Sequence, residues 1–242
     1  LLRMHAAAAT ALHTVGRDHG WETQVSLAHH ERPQIAATRS PLDHAAALAP
    51  NWVFNRWFVE CCFRGRVLPP MGSGEKVSGL AGSLDYLGVN HYAHEIVHFA
   101  VRRPQMLFAR TEADPGLEHN AFGWVIHPEG FRDVLVDLWR RYRLPIYVTE
   151  NGVSDSDDEL RPAFIVDHLN ALLDAVDAGA DVRGYMYWSA WDNFEWDSGY
   201  TQRFGLIGVN PETMERTPKP SAALYADICD RRIVPPPQRR TG

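Results

Sequence analysis

Apolar positions along this chain follow two alternating rhythms: stretches that repeat every three to four residues, and short runs rich in β-branched and aromatic side chains. The first marks helices and the second marks strands. Residues 1–15 are Ala-rich without Gly or Pro and read as a helix. Residues 23–27 (TQVSL), inside the stretch 21–28, read as the first strand. Residues 51–63 read as a helix, with Trp52, Asn55, Arg56, Val59 and Phe63 largely at helical spacing, ended by Gly65 and Pro69-Pro70. Residues 84–89 (LDYLGV) give the second strand. An amphipathic helix over 131–142 leads into the third, 145–149 (PIYVT). Residues 164–178 are helical, 182–188 (VRGYMYW) form the fourth strand, and 221–229 read as a closing helix. Phe131, Trp139 and Met186 read as core.

Strands alternating with helices predict a parallel α/β sheet rather than an antiparallel sandwich. No repeat, low-complexity tract or linker divides the chain, so residues 1–242 are expected to form a single region. Four strands leave a difficulty, because a parallel barrel closes with eight. The strands near Val25 and Met186 are expected to expose unpaired backbone groups, which invites pairing with another chain.

Three segments place polar or aromatic residues where a strand ends, the rim at which parallel barrels build their sites. Residues 145–152 put Glu150 at the end of an apolar strand, followed by an Asn-Gly turn. That carboxylate either caps the turn or carries chemistry. Residues 188–196 (WSAWDNFEW) hold four aromatics and two carboxylates beyond the fourth strand. Aromatic faces stack on sugar C–H faces and carboxylates accept from hydroxyls, so this composition suits carbohydrate, the plain alternative being an aromatic cluster under a loop. Asn90-His91-Tyr92 follows the second strand.

Together these segments closely resemble the family 1 glycoside hydrolases, β-glucosidases and β-galactosidases built on a TIM barrel. Residues 148–152 (VTENG) match that family's nucleophile motif and residues 188–196 its W-S-x-x-D-N-x-E-W signature. Arg56-Trp57-Phe58, residues 87–90 (LGVN), Gly123-Trp124, residues 128–130 (PEG), residues 203–207 (RFGLI) and Pro218-Lys219 add to it in the family's order. The resemblance implies the C-terminal half, strands 5–8, of a (β/α)8 barrel. It implies Glu150 as nucleophile and Tyr92 as the phenol that orients it. Asn90 would lie near the sugar 2-hydroxyl, Trp188 under the sugar, Glu195 on the 4- and 6-hydroxyls, Trp196 on the 3-hydroxyl, Phe204 beside carbon 6, and Trp124 as the aglycone platform. The Trp188–Ser189 bond is expected to be cis. His91, Trp191 and Glu60-Cys61 depart from the family pattern without touching an implied catalytic role. Members acting on 6-phosphorylated sugars carry a small residue, a Lys and a Tyr where this chain has Glu195, Gln202 and Phe204, so an unphosphorylated β-glucoside or β-galactoside is the expected substrate.

Retaining glycosidases use two carboxylates about 5–5.5 Å apart. The family's acid/base lies in an Asn-Glu-Pro motif, which does not occur here. Glu31, Asp43 and Glu75 fall in predicted loops without family counterparts and are not taken as replacements. The chain opens Leu1-Leu2-Arg3 without Met and is expected to begin inside something larger or to have been trimmed. Two readings follow: a retaining β-glycosidase whose active unit needs residues upstream of Leu1, on a separate chain or on a segment cleaved away, and an inactive half-barrel that binds sugar weakly or serves assembly. Assembly is expected either with a complementary N-terminal half-barrel chain or as a homodimer, which would lack the acid/base.

Composition narrows the setting. A net charge of −6, with no basic block except Arg239-Arg240, argues against a nucleic-acid partner. No apolar run approaches the ~20 residues that span a bilayer. Three cysteines, two adjacent as Cys61-Cys62, make no disulfide framework and suit a reducing cytoplasm. His-Glu-x-x-His, Cys-x-x-Cys and Gly-rich phosphate loops are absent from the sequence, so neither metal nor cofactor is expected. The acidic run at 155–159 reads as a solvated loop, and the Pro-rich stretch 235–237 as unstructured.

Overall fold

The computed structural model describes residues 1–237, so the basic pair Arg239-Arg240 lies outside the described residues. The chain runs α1 (Leu2–His19), β1 (Ala28–His30), β2 (Gln34–Ala36), α2 (Pro41–Pro50), a π-helical turn (Asn51–Arg56) and α3 (Trp57–Arg64). It continues through β3 (Leu87–Asn90), β4 (Glu95–Phe99), β5 (Ala109–Glu112), α4 (Pro128–Tyr142), β6 (Ile146–Asn151), α5 (Arg161–Asp177) and β7 (Val182–Tyr187). A hairpin of β8 (Ile207–Val209) and β9 (Arg216–Pro218) precedes α6 (Pro220–Arg231).

The main sheet has the order β1-β3-β6-β7, with every neighbouring pair parallel. The predicted α/β alternation and strand order therefore hold, and β1 and β7 stand at the ends of the sheet. A second sheet, β2-β4-β5, and the β8-β9 hairpin have no counterpart in the sequence reading, nor does α2. Both strand sets are short and lack a long apolar run, and α2 takes its start from Ser40, whose hydroxyl accepts from the Leu42 N–H at 3.3 Å. Asp43, expected in a loop, sits in the first turn of α2.

The first strand is displaced from its predicted place. Residues 23–27 precede the assigned strand, and pairing begins at Ala28, opposite Gly88. The approach is nonetheless ladder-like: the Asp85 N–H donates to the Val25 carbonyl at 2.8 Å, and the Val25 N–H donates to Asp85 Oδ2 at 2.6 Å.

Between sheet and helices lies one large core. Leu87, Val89, Ile146 and Val148 turn toward Leu2 and Ala6 of α1, Val59 of α3, and Phe131, Leu135 and Leu138 of α4. Phe131 is fully buried, and Trp139 packs half-buried against this core with the Arg143 guanidinium 5.3 Å from its ring. Met186 is a correction, being 50% exposed. It lies on a terminal strand that has a neighbour on only one side, so apolar character alone does not bury it. Cys61, Cys62 and Cys229 are all unpaired.

The acidic stretch at 155–159 is solvated only in part, with Ser156, Asp157 and Glu159 exposed. Asp155 is buried, and its Oδ2 accepts from the Leu160 and Arg161 N–H groups at 2.9 and 3.0 Å, capping α5. Asp158 pairs with the fully buried Arg161 and accepts from the Ser221 hydroxyl at 2.6 Å. An internal guanidinium supplies the counter-charge that lets these carboxylates leave water.

Candidate active site

Because the main sheet is parallel, the C-terminal ends of its strands share one rim. Asn90 ends β3, Glu150 lies one residue before the end of β6, and Trp188 follows β7. Alternation along β6 would send Glu150 to the side taken by Ile146 and Val148, the helix-facing core. The ladder slips between Val89 and Asn90, so that Val89 pairs with Val148 but Asn90 pairs with Glu150. This bulge moves Glu150 onto the face of Asn90. Asn151, fully buried, secures the turn: its amide donates to the His91 carbonyl at 2.7 Å and its Oδ1 accepts from the Tyr185 hydroxyl at 2.9 Å.

On that face the Tyr92 hydroxyl donates to Glu150 Oε2 at 2.5 Å. Burial above all, then the hydrogen bond to Glu150 and its charge, hold the phenol well above its ordinary pKa, so it stays a donor. The Thr149 hydroxyl donates to Asn90 Oδ1 at 2.6 Å, which fixes the amide beside the carboxylate. The Tyr92 ring lies 5.3 Å from Trp124 and 6.1 Å from Phe204, while Phe122 lies 4.4 Å from Trp124. An aromatic wall therefore stands beside Glu150.

The loop after β7 brings the second carboxylate. The Trp188 indole N–H donates to Glu195 Oε1 at 3.2 Å. Burial pushes the Glu195 carboxyl above its usual range, and the nearby charge of Glu150 adds to this, against the lowering effect of the Trp188 N–H. Glu195 thus lies near enough to Glu150 to feel its charge. The Trp188–Ser189 bond is cis, as the resemblance implies. Gly152 makes this junction tight, since a Cβ there would meet the Trp188 carbonyl oxygen at 1.9 Å.

The loop is held by groups to which the sequence reading gave no anchoring role. Asp192, buried, accepts from the Gly205 N–H at 2.9 Å and from Lys219 Nζ at 3.3 Å, tying residues 188–196 to the β8-β9 hairpin. Arg161 donates to the Arg203 carbonyl at 2.8 Å and the Tyr187 hydroxyl at 3.1 Å. A lone Arg opening a helix carries no sequence signal for this, and the acidic run beside it reads as solvent-facing.

The fold brings together Asn90, Tyr92, Trp124, Glu150, Trp188, Glu195 and Phe204 from their separate segments. Trp196 stands apart, 84% exposed and without a hydrogen bond or ring contact to the cluster.

The sequence pattern of glycosyl hydrolase family 1 matches residues 2–233. The chain belongs to that family. It is 39% identical over 181 residues to a beta-galactosidase of Saccharolobus solfataricus, an alignment covering 71% of this chain and 36% of the relative. Among solved structures, a beta-glycosidase from Pyrococcus horikoshii superposes with a TM-score of 0.82 at 31% identity, over 94% of this chain and 51% of its own. A beta-glucosidase from Exiguobacterium marinum gives 0.85 at 30% identity, over 95% and 56%. This family 1 chain thus spans about a third of the length of that curated relative and about half of those structures, whose TIM-barrel fold it shares over nearly all of its own length. Among the described residues no helix is long and apolar enough to cross a membrane, and no group of three or more His, Cys, Asp or Glu is placed to hold a metal ion.

Proposed function

We propose that this chain is the C-terminal half-barrel, strands 5–8, of a retaining β-glycosidase acting on unphosphorylated β-glucosides or β-galactosides. Glu150 is its nucleophile. The observation that carries the reading is the 2.5 Å bond from Tyr92 to Glu150, supported by the charge of Glu195, held by the Trp188 N–H, acting on the same Tyr92. A nucleophilic carboxylate must be ionised and aimed, and a phenol that stays protonated does both. Trp188 supplies the floor under the sugar, Glu195 accepts from its 4- and 6-hydroxyls, Asn90 lies at the 2-hydroxyl, Phe204 at carbon 6 and Trp124 under the leaving group. Trp196 reaches the 3-hydroxyl only by turning inward from its exposed position. The acid/base carboxylate comes from residues other than these 242, since the sequence has no Asn-Glu-Pro motif. A complementary N-terminal half-barrel chain supplies it; a homodimer of this chain would close the sheet edges without it.

Leaving groups that depart as stable anions bypass that acid, whose assistance is worth roughly 10²–10⁴-fold. A dinitrophenyl β-glucoside tests the reading. A Glu150 oxygen attacks the anomeric carbon, the bond to the aryl oxygen breaks, and dinitrophenolate leaves without a proton. Without the base that activates water, the glycosyl-enzyme accumulates. The expected result is one equivalent of dinitrophenolate per chain and a glycosyl mass increment on the Glu150 peptide, both abolished in Glu150→Gln. Absence of the adduct, or its location elsewhere, overturns Glu150 as nucleophile and favours the inactive half-barrel.

A further inference from the structure

The antiparallel pair β4-β5 leaves the rim beside the site, β4 starting three residues after Tyr92, and its two strands are joined by residues 100–108 (AVRRPQMLF). Val101, Met106, Leu107 and Phe108 are between 43% and 68% exposed, so a run of apolar side chains stands in water at this tip. Apolar groups gathered at a surface mark sites of protein or membrane interaction. The backbone beneath them is ordered. The N–H groups of Ala100, Arg103, Met106, Leu107 and Phe108 all donate to carbonyls within the turn, at 2.7–3.1 Å. Leu107 and Phe108 both hold positive φ, 55° and 59°, a conformation that suits Gly or Asn and is costly for Leu and Phe. Folding alone gives no reason for two bulky apolar residues at these exposed positions, whereas a contact made after folding does.

Charge identifies the partner. Residues 96–111 contain His98, Arg102, Arg103 and Arg110 and no Asp or Glu, in a chain of net charge −6. Glu112 meets His98 and Arg110 on the stem of the hairpin. Asp43, which touches its flank, is buried, with its oxygens taken by the Phe99 N–H at 2.7 Å and the Thr38 hydroxyl at 2.6 Å. Arg102 and Arg103 are exposed and, among the described residues, have no ion pair. The tip is therefore apolar and cationic at once. A bilayer bearing anionic lipid offers the complement in layers, negative headgroups above acyl chains. The turn suits such a surface because its amides are bonded within itself and need nothing from lipid. A stable protein interface uses about 20–30 residues a side, and this tip has nine. A complementary half-barrel does not reach it by strand pairing, since β4 and β5 lie outside the main sheet whose ends are open.

We infer that residues 100–108 are a peripheral membrane anchor: Leu107 and Phe108 enter the headgroup boundary of an anionic bilayer while Arg102 and Arg103 pair with its headgroups. The chain lies on such a surface and does not cross it. The anchor needs neither Glu150 nor a sugar.

The 242-residue chain is floated with vesicles of phosphatidylcholine alone and of phosphatidylcholine with about 30% phosphatidylserine. Capture by the anionic vesicles is expected, at least about 10-fold weaker on phosphatidylcholine and lost as salt rises from about 0.1 to 0.5 M. Replacing both arginines, Arg102→Gln with Arg103→Gln, should weaken capture by about 5-fold per charge and about 30-fold together. Leu107→Asn with Phe108→Asn places residues that accept the left-handed backbone, so the thermal midpoint should not fall while capture drops by at least about 10-fold. If that variant misfolds, the arginine pair, which makes no ion pair within the chain, decides alone. No capture of the unmodified chain by anionic vesicles, equal capture by both vesicle types, or capture that a folded double variant leaves unchanged overturns the inference. Self-association abolished by the Asn pair, without vesicle capture, assigns the tip to a second copy of this chain and overturns it equally.

Discussion

Replacing Gly152 with Ala tests whether the junction between Glu150 and Trp188 is as rigid as its packing requires. The added Cβ would lie 1.9 Å from the Trp188 carbonyl oxygen, 2.9 Å from its carbon and 3.4 Å from its Cα. All three are backbone atoms, so no side-chain rotation relieves the contact, and the two segments must separate by about 1 Å. Those segments are tied together by the Trp188 N–H bond to the Asn151 carbonyl at 2.9 Å, which the separation breaks or stretches. Overpacking costs about 1–3 kcal/mol, and a backbone-only clash belongs at the upper end. For a chain of this size each kcal/mol moves the thermal midpoint by about 2–4 °C, so Gly152→Ala is expected to lower it by roughly 6–12 °C. Thermal unfolding followed by circular dichroism, with urea unfolding as a second measure, reads this directly. A fall of under about 2 °C would mean that the chain relaxes around the methyl at little cost, and the argument that this glycine is required for the close approach would be wrong.

Further outcomes follow from single contacts. Tyr92→Phe keeps the ring but removes the donor to Glu150, and a hydrogen bond to a charged group is worth about 1.5–3 kcal/mol, so dinitrophenyl glucoside labelling of Glu150 should slow by about 10–100-fold; an unchanged rate would remove Tyr92 from the machinery. Glu31 is fully buried with one oxygen paired to Arg56 and the other unpaired, and burial raises its carboxyl pKa to about 8. A raised folded pKa stabilises the protein fully below the unfolded value and loses that contribution as pH climbs to the folded one. Wild-type stability should therefore decline relative to Glu31→Gln between the ordinary carboxylate range and about pH 8, then run parallel; a constant difference from pH 5 to 9 would refute the burial argument. The strand ends at β1 and β7 expose ladder groups in this chain, so light scattering behind size-exclusion should find a dimer or larger species, and a stable monomer with hydrogen-exchange protection at both edges would contradict that.

The sequence alone was enough for whatever is local and periodic. The long helices α1, α4 and α5 and the strands β3, β6 and β7 declare themselves because their burial follows a regular repeat that one stretch of chain carries by itself. Glu150, Tyr92, Trp188 and Glu195 were legible as candidates because they sit at or beyond the ends of such strands, in segments that match the family's motifs. The β2-β4-β5 sheet was not legible, since strands of three to five residues take their identity from the partner they pair with. Nor was the acidic run 155–159, whose partner Arg161 becomes internal only on folding. Three decisions belong to tertiary structure alone. The slip between β3 and β6 carries Glu150 from the core side to the site side, which the alternation of β6 would have denied it. The register of β1 against β3 sets His30 rather than His29 beside Tyr92. The loop after β7 sends Glu195 to Trp188 and leaves Trp196 exposed, because the turn at 195–199 and the anchoring of Asp192 settle which side chains turn inward, and the partners that fix them, Gly199, Gly205 and Lys219, lie outside residues 188–196.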